Sequence, residues 1–158
     1  MTTPEIPRLA TPRVAAGALF FDEAGRVLLV KPTYKEGWDI PGGYVESGES
    51  PRAACIREIQ EELGVSVSVK NHLVIDWAPA ENEGDKILFI FDAGRLPRHS
   101  EISFNDGELS EARFVAMDEL DGYLSERLSR RIRTAVTAKV RGIPAYAEHG
   151  VGPEDSSH

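Results

Sequence analysis

Cysteine is nearly absent. Cys55 is the single one in 158 residues, so no disulfide can close within the chain. A lone thiol suits a reducing compartment, and a cytoplasmic location is expected. Positive charge is also short: 18 Lys and Arg face 26 Asp and Glu, a formal net charge of −8. Phosphate backbones are gripped by basic surface, so general nucleic-acid binding is not expected. A small anionic substrate is still compatible with this balance, because metal can meet its charge. No apolar run approaches the roughly 20 residues that span a membrane, and residues 1–11, with Pro4 and Pro7, lack the apolar core of a signal peptide. Neither a membrane span nor a leader is expected. No internal repeat is visible, and His72 and His99 lack metal-ligand spacing and read as structural. What remains is ordinary globular composition, 41% hydrophobic and 28% charged, in a length that suits one domain with a sizeable core. The expected division is a flexible segment at 1–11, a domain at 12–144 and a flexible tail at 145–158.

Residues 43–65, GYVESGESPRAACIREIQEELGV, organise the chain. At 100° per residue, Glu58, Glu61 and Glu62 fall at i, i+3 and i+4 and share one helix face. Ile56, Ile59 and Leu63 form an apolar stripe opposite, fit to anchor the helix on a core. Ser50 suits the N-cap, Pro51 the first helical position and Gly64 the position just past the end. One buried-backed helix therefore carries a cluster of acid, an oxygen-rich donor set of the kind hard divalent cations prefer.

Elsewhere, Val14 to Phe21 and Arg26 to Lys31 read as a hairpin around Asp-Glu-Ala-Gly. Val65 to Lys70 alternates at period two and predicts a half-buried strand. Two further strands are expected at 72–77 and 86–91 around a polar loop, then a long polar connection at 95–107 and a strand at 113–117. Leu124, Leu128, Ile132, Val136 and Val140 recur every four residues beside Ala135, so 124–141 is an amphipathic helix. Its other face carries Arg127, Arg130, Arg131, Arg133 and Lys139, which read as a solvated surface.

The glycine at 43, the glutamate at 49, then Arg57, Glu58, Glu61, Glu62 and Gly64 resemble the Nudix box at every defining position. Seven fixed identities at roughly 6% each coincide by chance on the order of 10⁻⁹ per start point. The resemblance continues in WDIPGGYVE ahead of the box and ELSEARFVAMDEL after it, covering roughly residues 14–120. It implies an α/β/α sandwich, a mixed sheet between the box helix and a C-terminal helix. Family members hydrolyse a diphosphate that links a nucleoside to another group, so the implied cofactor is Mg²⁺, with Mn²⁺ able to substitute. The resemblance makes Glu58, Glu61 and Glu62 metal ligands, joined by a backbone carbonyl at Gly42 or Gly43. It pairs Arg57 with Glu49 or Glu58. The general base stays open between a box glutamate, Glu58 or Glu62, and a later loop acid, of which Glu108, where the family often places an extra metal-binding or basic carboxylate, is favoured over Glu111, Glu81, Glu83 and Asp85.

Substrate recognition is thinner in the sequence. Lys31, Lys35 and Arg13 can meet phosphates, and Tyr34, Trp38 and Trp77 can stack on a base. Pro79, fifteen residues beyond Gly64, resembles a mark of ADP-ribose hydrolases. The favoured expectation is a pyrophosphohydrolase of an ADP-ribose or nucleotide-sugar type of substrate, acting as one chain or a homodimer. A nucleoside triphosphate hydrolase and a non-catalytic nucleotide sensor are the alternatives. A prenyl-diphosphate isomerase needs a cysteine facing its substrate, and Cys55 lies about 60° from the acid face, which does not match.

Overall fold

The computed structural model describes residues 5–96 and 102–152. His99, the ends at 1–4 and 153–158, and 97–101 of the polar connection lie outside the described residues. The two first apolar runs set the centre of the sheet as β1 (Arg13–Phe21) and β2 (Val27–Pro32), an antiparallel pair. Their side chains alternate between two cores. Ala16, Ala18 and Phe20 of β1, with Leu28 and Val30 of β2, join one apolar cluster. Leu19 and Phe21, with Val27 and Leu29, join the other. Strands covered on both faces read as continuous apolar runs, which explains why no polar alternation interrupts them.

The remaining strands are β3 (Gly42–Tyr44), β4 (His72–Trp77), β5 (Lys86–Arg95), β6 (Leu109–Val115) and β7 (Ala145–Glu148). The seven-stranded sheet runs β6-β2-β1-β5-β4-β7, with β3 paired to β1. It is mixed: β1–β5 and β4–β7 are parallel, the other pairs antiparallel. Helix α1 (Pro51–Leu63) covers one face, where Cys55, Ile59 and Leu63 are fully buried. Helix α2 (Glu126–Arg141) covers the other with Ile132, Ala135 and Ala138, after a short 3₁₀ helix at Met117–Gly122. The α/β/α sandwich expected from the sequence is therefore the fold. Among the described residues no helix is long and apolar enough to cross a membrane.

The local signals of α1 act as read. The Ser50 side chain accepts the Ala53 N–H, Pro51 opens the helix, and Gly64 takes the left-handed conformation at φ 68°.

Four expectations need correction. Residues 65–70 belong to no strand. Val65 and Val69 are buried as the alternation implies, yet the Val69 and Lys70 carbonyls accept from the Arg52 guanidinium instead of from a neighbouring strand. Val140 is 82% exposed. The helix begins at Glu126, not at 124, and a spacing of four gains about 40° per step, so a stripe begun at Leu128 has turned by about 120° at Val140. The i+3 steps through Ala135 and Ala138 keep facing the core instead. The strand expected at 113–117 begins earlier, at Leu109, and ends at Val115. Finally, residues 145–148, expected in a flexible tail, pair in parallel with β4 and bury Ala147. Four residues are too few for periodicity to reveal, and a neighbouring edge strand supplies their partners. At the other end, residues 5–11 are exposed and carry no regular structure.

Ile59 is fully buried against β1 and β2 residues. Ile59→Ala should lower unfolding free energy by about 2–5 kcal/mol in urea denaturation. An unchanged midpoint would mean that the helix presents another face to the sheet.

Candidate functional site

β3 is only three residues long, and its register on β1 places Gly43 opposite Ala16 and Gly42 opposite Gly17. A Cβ on Gly42 would run into the Ala16 carbonyl oxygen and come within 2.6 Å of the Gly17 Cα, and Gly42 has φ 148°. Only glycine fits there. At Gly43 the crowding comes from a side chain: a Cβ would lie 2.5 Å from the Glu58 carboxyl carbon. Gly42 thus lets β3 lie closely on β1, and Gly43 lets the Glu58 carboxylate rest directly against the β3 backbone.

Glu62 is 4% exposed, and the Gly42 N–H donates to its Oε1 at 3.2 Å. Burial, augmented by the charges of Glu58 and Glu108, pushes its carboxyl up to about 9 against the opposing pull of the Gly42 N–H. Burial likewise raises Glu58, despite Arg57 beside it. Arg57 ties the cluster together. Its Nε and Nη2 grip both oxygens of Glu49 at 3.1 and 2.6 Å, its Nη1 reaches Glu58 at 3.0 Å and Glu61 at 3.2 Å, and Nη2 also donates to the Tyr44 carbonyl. The hydrogen bonds from Arg57, then that from the Glu46 N–H, hold Glu49 down to about 2. The planar fork of an arginine suits such a multidentate arrangement.

A cavity of about 500 Å³ opens beside these glycines, within the size of small-molecule sites. Gly42, Gly43 and Tyr44 form one wall, Tyr34, Lys35 and Asp39 a second, Glu83 and Lys86 a third, and Arg127 and Arg131 of α2 a fourth. Of the residues expected to bind substrate, Tyr34 lines this space and is 70% exposed. Arg13 is not among the lining residues, and its guanidinium lies 5.9 Å from the Tyr44 ring centre. Lys31 donates to the Lys35 carbonyl at 3.3 Å and is not among the lining residues. Trp38 and Trp77 are not brought to the cavity. Trp38 packs edge-on to Tyr123 at 5.5 Å under Arg113, and Trp77 pairs with Glu148 in the sheet. Packing of the tryptophans against the core and sheet has taken the place of the expected base stacking.

Among the loop acids, Glu108 is exposed just before β6, and its charge bears on both Glu62 and Tyr34. Its rival Glu111 is paired with Arg113 at 2.5 Å. Glu83 lines the cavity, hydrogen-bonded to the Tyr44 hydroxyl and to Lys86 at 3.0 Å. The sequence reading missed Tyr44, Lys86, Arg127 and Arg131 as cavity residues. The i, i+4 spacing of Arg127 and Arg131 was the available signal, since it sets both on one side of α2. Cys55 is buried in the core, which pushes its thiol up to about 12 and leaves it unreactive.

No group of three His, Cys, Asp or Glu among the described residues is gathered tightly enough to hold a metal by itself. The donor set still fits a hard divalent cation. Glu58 and Glu62 are neighbours on α1, the charge of Glu58 bearing on Glu62, and Glu62 has no ion-pair partner among the described residues. Mg²⁺ takes one or two carboxylates and fills its other positions with water and substrate phosphates.

The NUDIX domain model matches residues 11–136. The chain belongs to the Nudix family. The NAD-capped RNA hydrolase NudC of Mycobacterium tuberculosis (strain ATCC 25618 / H37Rv) is 32% identical over 123 residues, 77% of this chain and 37% of that protein. A UDP-X diphosphatase structure superposes with a TM-score of 0.71 at 23% identity, covering 89% of this chain and 69% of that one. A MutT protein from Methanosarcina mazei Go1 gives 0.67 at 22% identity, covering 85% and 99%. The chain spans 37% to 64% of the length of four curated relatives.

The two glycines of β3 differ in what they touch, so their substitutions should separate. Gly42→Ala drives a Cβ into backbone and is expected to cost more than about 2 kcal/mol of stability, whereas Gly43→Ala displaces only the flexible end of Glu58 and should cost under about 1 kcal/mol. Urea denaturation of both variants checks this; the reverse order would contradict the close packing of β3 on β1.

Proposed function

We propose that this Nudix chain hydrolyses a diphosphate bond in a nucleoside diphosphate linked to a second group, of the ADP-ribose or nucleotide-sugar type. The observation that carries the reading is the pairing of Glu58 and buried Glu62 against Gly42–Gly43, at the edge of a cavity whose other walls hold cations and tyrosines. Hydrolysis of a diphosphate is mainly a problem of charge: water must reach a phosphorus shielded by negative oxygens. Mg²⁺, or Mn²⁺ in its place, would be held by Glu58, Glu61 and Glu62 with a carbonyl of Gly42 or Gly43, and supplies charge neutralisation and a more acidic water.

The chain's own groups do the rest. Arg57, locked by Glu49, holds the Glu58 and Glu61 carboxylates in place, which removes the reorganisation otherwise needed when substrate arrives. Lys35 and Lys86 offer charge to the phosphates, and Tyr34 and Tyr44 offer faces to a base or ribose. The proton of the attacking water goes to a carboxylate, for which Glu58, Glu62 and Glu108 are the candidates. Pro79, the residue resembling an ADP-ribose mark, contributes through its backbone: its carbonyl accepts from Arg127 at 2.6 Å. Buried Cys55 is consistent with work in the cytoplasm.

The test is a hydrolysis panel in Mg²⁺ of ADP-ribose, other nucleotide sugars, dinucleoside polyphosphates and nucleoside triphosphates. ADP-ribose or a nucleotide sugar should stand out with kcat/KM of about 10⁴ M⁻¹s⁻¹ or more. A triphosphate in that place would favour a house-cleaning role, and nucleotide binding with no turnover would indicate a sensor. Glu62→Gln should lower kcat by at least about a hundredfold with the fold retained. Activity within about tenfold of wild type would remove Glu62 from the reaction.

A further inference from the structure

Four cations line the cavity: Lys35, Lys86, Arg127 and Arg131. Three of them are matched by carboxylates. Lys35 pairs with Asp39 at 2.9 Å, Lys86 with Glu83 at 3.0 Å, and Arg131 with fully buried Asp76 at 2.5 Å. Arg127 differs. Among the described residues it has no carboxylate within ion-pair distance; its Nη2 donates to the Pro79 carbonyl at 2.6 Å and lies 3.1 Å from His149 Nδ1. Its Nε is buried without a hydrogen-bond partner.

The acids near enough to influence Arg127 are already engaged. Asp76 spends one oxygen on Arg131 and the other on the Gly150 N–H. Glu83 is held by the Tyr44 hydroxyl and Lys86. Burial and the adjoining charges of Arg131 and Arg130 bear on Arg127 unfavourably, and Asp76 and Glu83 offset only part of this. An arginine cannot escape such a position by losing its proton, and a partly desolvated charge without a counter-ion is costly. A guanidinium has five N–H donors in a planar fork that matches phosphate oxygens. Pinning the Pro79 carbonyl employs Nη2 and leaves the rest of the fork unexplained.

We infer that Arg127 is a specificity-determining residue that binds a phosphoryl oxygen of the substrate, drawing its phosphates from the Glu58–Glu62 edge toward α2. This rests on the cavity being the nucleotide site of the proposed function. It selects ligands that carry anionic phosphate over neutral nucleosides of the same base. A lysine in its place keeps the charge but loses the fork, and a glutamine loses both.

The experiment is calorimetric binding of ADP and of adenosine in Mg²⁺ to the wild-type chain, Arg127→Lys and Arg127→Gln, with melting curves of all three. Arg127→Gln should weaken ADP by about tenfold to a hundredfold, the range expected for losing a hydrogen bond to a charged group, and leave adenosine within about twofold. Arg127→Lys should fall between. On whichever substrate the panel turns over, the loss in kcat/KM should be carried chiefly by KM. A variant that binds ADP as wild type does would overturn the inference. So would an equal loss of ADP and adenosine with a lower melting temperature, which marks a residue that only pins the Pro79 loop, and so would a wild-type chain that does not bind ADP. ADP binding that depends on Arg127 without turnover would sink the hydrolase reading alone. Turnover with binding indifferent to Arg127 would sink only the inference.

Discussion

The Arg57 guanidinium is the contact on which the site depends. Glu49, Glu58 and Glu61 converge on it within 3.2 Å, and a chain of net charge −8 has little other positive charge to spend there. Without a cation at their centre these carboxylates would repel one another and swing to solvent. With it, Glu49 is held ionised and Glu58 is kept against Gly43, next to Glu62. The same guanidinium donates to the Tyr44 carbonyl, so the helix that bears the acids is tied to the strand they face.

That tie works because both partners are anchored from behind. Ile59 and Leu63 seat α1 in one apolar cluster, and Gly17 and Gly42 let β3 lie closely on β1. The second helix is anchored on the other face by Ile132, Ala135 and Ala138, and the buried Asp76–Arg131 pair fixes it to β4. The β7 turn joins in, through Gly150 to Asp76 and Thr134. Helix α2 contributes Arg127 and Arg131 to the cavity, whereas the acids of α1, on the other face of the sheet, pack against Gly42 and Gly43, which line it.

Much of this was legible in the sequence because it is local. The helix at 51–63 announced itself through its cap, its proline, its terminal glycine and a stripe of period 3.6, and the acid cluster followed from i, i+3, i+4 spacing. Arg57 could be assigned to Glu49 or Glu58 but not to both with Glu61, since the loop between Tyr44 and Ser50 brings Glu49 back over the helix. What was not legible depends on distant partners. The alternating 65–70 segment lost its strand to the Arg52 side chain, and 145–148 gained one from β4. Trp38 and Trp77 looked like stacking platforms, but their ring size serves core and sheet contacts equally well. The α2 arginines looked solvated because nothing in a helix pattern says that a cavity lies across from it.

Arg57 offsets repulsion among the carboxylates, beyond simply adding contacts of its own. Melting temperatures of Arg57→Gln, Glu49→Gln and the double variant test it most directly, because Glu49→Gln keeps an acceptor for the Glu46 N–H while removing one charge. Arg57→Gln should melt well below wild type, and adding Glu49→Gln should recover part of the loss. A double variant that melts as low as the sum of the two single losses, or lower, would contradict it.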